Sequence, residues 1–228
     1  MNPITPEVWR LLSEKTIHQE VAEFEQRLGL KSGFYQDIVT NDDWSFIIKL
    51  NALFEAACTH ALSQRIACPE LLDELAQLEF ADRRKGKVKF LLSLSVVTEK
   101  QAEILFDLAK LRNTLVHNVD QVAFSIDSYI AGLDSKKFKA KSALWGHGIV
   151  DFVNEGEVTI SRTEFVRAKP KEALWLTCME ILACLHTEFE LAKYRAADAA
   201  ARECRNIRTE IASGSVSHVR MKGISPEG

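Results

Sequence analysis

Apolar residues recur every three or four positions along most of this 228-residue chain, the repeat of helices buried on one side. The first such run predicts a helix from about Glu7 to Leu28, with Val8, Leu11, Leu12, Val21, Phe24 and Leu28 on its apolar side; the two glycines of "GLKSGF" end it. A second helix starts after Asn41 or Asp42, both good N-caps, and runs to about Ala67. Trp44, Ile47, Ile48, Phe54, Ala57, Cys58, Ala61 and Leu62 make it apolar over most of its circumference, which predicts a central place in a bundle. Pro69 opens a short third helix through Leu78. A fourth covers Asp82 to Ser95, with a weak point at Gly86. Thr98 and Gln101 form a capping-box pattern ahead of a fifth helix, whose buried side is Ala102, Leu105, Phe106, Leu108, Ala109, Leu111 and Leu115. Another helix is expected from about Gln121 to Leu133, and Pro170 opens a long one from about Lys171 to Ile211.

Between Asp134 and Pro170 the pattern weakens. "DSKKFKAKSALWGHG" is basic and broken by glycine, and "EVTISRTEF" alternates enough for a short strand or an extended segment. The last helix is apolar in its first half (Leu174, Leu176, Met179, Ile181, Leu182, Leu185, Phe189) and rich in Ala and Arg in its second, which suits projection into solvent or packing on a partner. The expected fold is an all-α bundle with a long C-terminal helix and a short irregular or extended insert. It forms one domain over residues 1–213, followed by a disordered tail over 214–228.

Composition narrows the class. With 46% hydrophobic and 27% charged residues the chain reads as an ordinary globular protein. No run of about 18 uncharged apolar residues predicts a membrane span. The start, "MNPITPEVWRLLSEK", lacks a basic region followed by an apolar one, so secretion is not expected and the cytoplasm is. The 5 cysteines (58, 68, 178, 184 and 204) include no C-x-x-C; three lie in apolar helical stretches, which predicts reduced, buried thiols rather than disulfides or a zinc site. A formal net charge of −3 argues against a protein that coats nucleic acid through bulk charge, but leaves room for a local basic patch.

The candidate chemistry lies in "LAKLRNTLVHNVD", where an apolar helix ends in Arg112, Asn113 and, four residues on, His117. Asn113 and His117 share a helix face. Arg112, five before His117, lies about 140° round an ideal helix from it, so the two converge only if the helix ends early or two copies meet. A structural reading competes with a catalytic one: cations are favoured near a helix C-terminus, and Asn and His are tolerable there.

"LRNTLVHNV" at the end of a helix in a small all-helical chain resembles the signature of the HEPN superfamily, an Arg, often a polar residue, and a His after four to six intervening residues. The matching positions are Arg112, Asn113 and His117. The run "DWSFIIKLNALFEAACTHAL" is similar to an upstream helix of that family, in which an acidic residue often supports the motif Arg; Glu55 holds that place. The resemblance covers roughly residues 40–132 and the helix after Pro170. It implies a homodimer through the motif helices and, in active members, metal-independent cleavage of single-stranded RNA, with no cofactor and no metal. On that resemblance the chain reads as a toxin or defence protein with an antitoxin or regulatory partner; the competing reading is a non-catalytic regulatory or interaction module, since many members are catalytically silent. A Tyr two residues after the His, a modification target in some members, is Val119 here.

The residue types suit that chemistry. Attack by a ribose 2′-hydroxyl needs one proton removed and another delivered to the leaving 5′-oxygen, and His titrates in the right range for both. A planar Arg fork stabilises the charge gathering on phosphoryl oxygens. Asn113 can orient the imidazole or bind phosphate.

Other features carry two readings each. Arg83, Arg84, Lys85, Lys87 and Lys89 in "RRKGKVKF" either hold RNA phosphates or form a solvated helix face. Lys136, Lys137, Lys139 and Lys141 with Phe138 and Trp145 either offer base stacking or form a loop anchored by its own aromatics. Glu55 either pairs with a cation, Arg112 being the preferred one, or sits at the core's edge. His60 and His186, on apolar helices, read as structural.

Overall fold

The computed structural model describes residues 17–155 and 158–212. Among them are ten α-helices and one two-stranded hairpin, so the fold is all-α with a long C-terminal helix, as the periodicity predicts. Contacts group the chain into two units, one reaching Phe189 and one beginning at Glu190. The start of the first expected helix and the tail after Gly214 lie outside the described residues.

The helices are α1 (Ile17–Arg27), α2 (Phe34–Ile38), α3 (Asp43–Ile66), α4 (Leu72–Ala76), α5 (Lys87–Ser93), α6 (Glu99–His117), α7 (Ile126–Ala131), α8 (Ser135–Trp145), α9 (Arg162–Ala168) and α10 (Pro170–Ala212). Short 3-10 turns precede α4 (Pro69–Leu71) and α7 (Val119–Ala123). Asp42 caps α3 by accepting from the Ser45 N–H at 2.9 Å, and Ala67 ends it in the left-handed conformation at φ 56°. The buried positions of α3 cover most of its circumference, from Phe46 and Ile47 to Ala61 and Leu62, because α4, α5 and α6 all pack on it; Lys49, Ala52 and Ala56 form its exposed side. The Thr98–Gln101 capping box opens α6 as predicted.

Four differences from the sequence reading have local causes. The helix expected from Asp82 begins only at Lys87. Residues 79–85 instead fold into a tight turn, in which a Cβ on Gly86 would sit 2.5 Å from the Asp82 backbone nitrogen, so only glycine fits there. The helix expected over Gln121–Leu133 is broken: Val119–Ala123 is a 3-10 turn, Ser125 caps α7 by accepting from the Ser128 N–H (3.3 Å), and the Asp43 carboxylate accepts from the Ile126 N–H (2.8 Å). The basic segment after Asp134 is a regular helix, α8, not an irregular one: Phe138, Ser142 and Trp145 are buried at i, i+4 and i+7, and lysines cover the other sides. In "EVTISRTEF" the strand covers only Val158–Ser161 and pairs antiparallel with Phe152–Glu155; a Ser161–Glu164 capping box then turns the rest into α9.

Core residues of the first unit come mainly from α3, α6 and the first half of α10. In the second unit the residues of α10 from Lys193 onward are mostly exposed, with local pairs such as Arg202–Asp198 at 2.6 Å. Among the described residues no helix is long and apolar enough to cross a membrane.

Candidate active site at the end of helix α6

Helix α6 presents two neighbouring cavities, and its last three turns divide them. The larger, about 570 Å³, is lined by Arg83, Phe106, Lys110, Asn113, Thr114 and His117 together with Ala81, Ala109 and Asn118. Phe106, Lys110, Asn113 and His117 stand at i, i+4, i+7 and i+11, one stripe of the helix. His117 is exposed at the mouth, where the helix ends because Asn118 is extended and its side chain donates back to the Thr114 carbonyl at 2.7 Å. Arg83, Lys110 and His117 are the basic side chains here, and among the described residues no carboxylate lines this cavity.

The smaller cavity, about 390 Å³, is walled by Asn51 and Glu55 of α3, by Glu79, Phe80 and Asp82 of the tight turn, and by Arg112. Ala81, Ala109 and Asn113 line both cavities. Within one chain, therefore, Arg112 and His117 open onto adjoining cavities rather than one, as the 140° separation foretells, and Asn113 lies between them. Arg112 Nη1 donates to Asn113 Oδ1 at 3.1 Å, while its Nε is buried without a partner.

Two expectations about this region are corrected. Glu55 does not pair with Arg112: its carboxylate is half-exposed and lies 3.5 Å from Lys87 Nζ, although both Glu55 and Arg112 reach the smaller cavity. Lys87 is no RNA ligand, since it is 1% exposed and also donates to the Ala76 carbonyl at 3.1 Å. The other members of the basic run differ among themselves. Arg84 and Lys85 are exposed, and Lys89 is half-buried. Arg83 makes two bonds to Glu103, at 2.6 and 2.9 Å, with its guanidinium 4.3 Å over the Phe106 ring. Asp82 accepts from the N–H groups of Arg84 and Lys85, and those two bonds hold its carboxyl below the usual range.

Trp145 and Lys141 are turned inward. The Asp107 carboxylate accepts from Lys141 at 2.6 Å and from the Trp145 indole at 2.9 Å, so base stacking on Trp145 is closed off. Phe138 is buried beneath Arg167. His186 is fully buried, bonded to Glu20 and receiving Arg27 Nε at 3.2 Å, which suits a structural histidine. His60 is half-buried, and that burial lowers its pKa. Burial raises the thiols of Cys58 and Cys178 far above the usual value, which removes them as nucleophiles.

Lys110, Phe106 and Asn51 are the site residues that motif reasoning missed. The i, i+4, i+7, i+11 stripe ending in His117 holds the signal for the first two. Asn51, one turn before Glu55 on α3, has only that spacing to mark it.

No protein-family profile, no curated protein and no solved structure matches the chain.

Proposed function

We propose that this protein is a HEPN-type, metal-independent endoribonuclease that cuts single-stranded RNA, acting as a homodimer through the ends of α6. The observation that supports this best is His117: exposed, it faces a cavity whose other polar groups, Lys110, Asn113 and Arg83, suit an RNA phosphate. In this reading the ribose 2′-oxygen attacks phosphorus as His117 takes its proton, and the 5′-oxygen of the next nucleotide leaves with a proton, giving a 2′,3′-cyclic phosphate. Arg112 and Asn113 would steady the phosphoryl oxygens. A dimer would set the Arg112 of one copy near the His117 cavity of the other and supply a second histidine, so that one acts as base and one as acid. Uncontrolled cutting would arrest growth, which fits a toxin or defence protein held by an antitoxin.

Purified protein is expected to cleave single-stranded RNA in EDTA, and His117→Ala to abolish cleavage while keeping the melting temperature. The separation of Arg112 and His117 into two cavities favours one alternative, a non-catalytic regulatory or interaction module of the same fold. An inert wild type that is harmless on overexpression, alongside equally harmless Arg112→Ala and His117→Ala variants, would establish that alternative.

A further inference from the structure

The smaller cavity beside His117 has a polar demand of its own. Two residues of its wall, on different helices, carry buried polar atoms without a hydrogen-bond partner: Asn51 Oδ1 from α3, an acceptor, and Arg112 Nε from α6, a donor. Asn51 is 5% exposed, so bulk water does not serve its side chain. Native proteins rarely leave buried polar atoms unpaired, so each of these two calls for a partner from outside the chain. The rest of the wall adds acceptors. Glu79 is exposed and forms no ion pair among the described residues, whereas Glu55 is occupied by Lys87 and Asp82 by the backbone of its own turn.

A ligand for this wall brings one acceptor for the Nε of Arg112, whose Nη2 stays available to a phosphoryl oxygen, and several N–H donors for Asn51 and Glu79, and it carries no negative charge near the three carboxylates. A phosphate fails that description and belongs in the neighbouring cavity with Lys110 and His117. A nucleobase meets it, and the shared wall of Ala81, Ala109 and Asn113 sets base and phosphate side by side. Among bases, those with an exocyclic amino group offer two N–H donors on one nitrogen next to ring or carbonyl acceptors. Uracil has a single ring N–H.

We propose that this cavity is a base-reading pocket that takes an amino-bearing nucleobase of single-stranded RNA and discriminates against uracil. The proposal rests on the RNase reading for its substrate class but makes a binding prediction of its own. The test uses full-length protein carrying His117→Ala, which prevents cutting, and fluorescent oligoribonucleotides of cytidine, of uridine, and of the cytidine analogue lacking the 4-amino group. Binding is read by fluorescence anisotropy.

The cytidine oligomer is expected to bind about tenfold more tightly than the uridine one, the cost of leaving buried acceptors unpaired. Removing the 4-amino group should drop affinity to the uridine level. Asn51→Leu and the surface substitution Glu79→Gln should each narrow the gap; Glu79→Gln serves even if Asn51→Leu fails to fold. Equal binding of all three oligomers, or a gap that Glu79→Gln leaves untouched and the 4-amino deletion does not close, overturns the pocket. If wild type still cuts RNA in that case, the nuclease reading stands alone. Selective cytidine binding without any cutting by wild type keeps the pocket and ends the nuclease reading, and no binding of any oligomer ends both.

Discussion

Asp107 and Arg112 are neighbours on α6 with opposite surroundings. Asp107 is mostly buried and fully answered: Lys141 and the Trp145 indole both donate to it, and Lys141 Nζ lies 5.2 and 5.1 Å from the ring centres of Tyr129 and Trp145. Arg112 is half-buried and mostly unanswered, with one bond to the adjacent Asn113 and a buried Nε left over. A charge whose partners come from its own fold acts as a clamp, here fastening α8 to α6. One left short of partners beside a cavity adds little to stability, so its presence calls for a different explanation.

The sharpest way to break that contrast is to remove chemistry without removing structure. His117→Ala is expected to lower RNA cleavage by roughly 10²–10⁴-fold, the usual worth of a general acid or base, with no fall in Tm because His117 is exposed. Comparable cleavage by the variant would remove the site from α6. Asp107→Ala should do the reverse. Stranding Lys141 and the Trp145 N–H costs about 3 kcal/mol, read as a Tm lower by roughly 6–12 °C, while the refolded protein keeps its specific activity. Arg112→Met tests the other half of the comparison. Taking away a partnerless buried donor should change stability by less than about 1 kcal/mol in urea unfolding, yet cleavage should fall; a large loss of stability would make Arg112 a structural residue.

Within the basic run, Arg84→Ala with Lys85→Ala should weaken RNA binding and flatten its dependence on salt. Lys87→Met should leave binding unchanged, since that lysine is buried against Glu55 and the Ala76 carbonyl. The smallest effect concerns acid. Asp82 and Asp134 are held below the usual carboxylate range, each first by backbone N–H bonds, and Asp42 first by its bond to Ser45. Because their folded-state pKa values lie below the unfolded ones, their contribution is complete above the ordinary carboxylate range. It is lost as pH falls through the depressed values. The urea midpoint should therefore hold down to about pH 4 and decline below it. A midpoint that rises on acidification would contradict these caps.

Much of the scaffold was readable from residue order alone. Asp42 and the Thr98–Gln101 box announce the starts of α3 and α6, and the apolar residues over most of the circumference of α3 announce its central place. These are local signals, written within one or two turns of the element they control. The insert is harder to read because the lysines around α8 mask a buried stripe of three residues, and the break before α7 is harder because the Asp43 carboxylate that accepts from the Ile126 N–H lies 83 positions away. At the site, the letters singled out Arg112, Asn113 and His117, and helical geometry already separated the Arg from the His.

What the sequence by itself determined is the helical class, the main helix boundaries and which face of α6 carries His117, since all of these follow from caps and a 3.6-residue repeat. Tertiary structure alone decided that Lys87 is consumed by Glu55, that Lys141 and Trp145 serve Asp107, and that Asn51 meets Arg112 across a shared cavity. Partnership between side chains from distant segments depends on how helices pack in space, and no spacing along the chain encodes that distance.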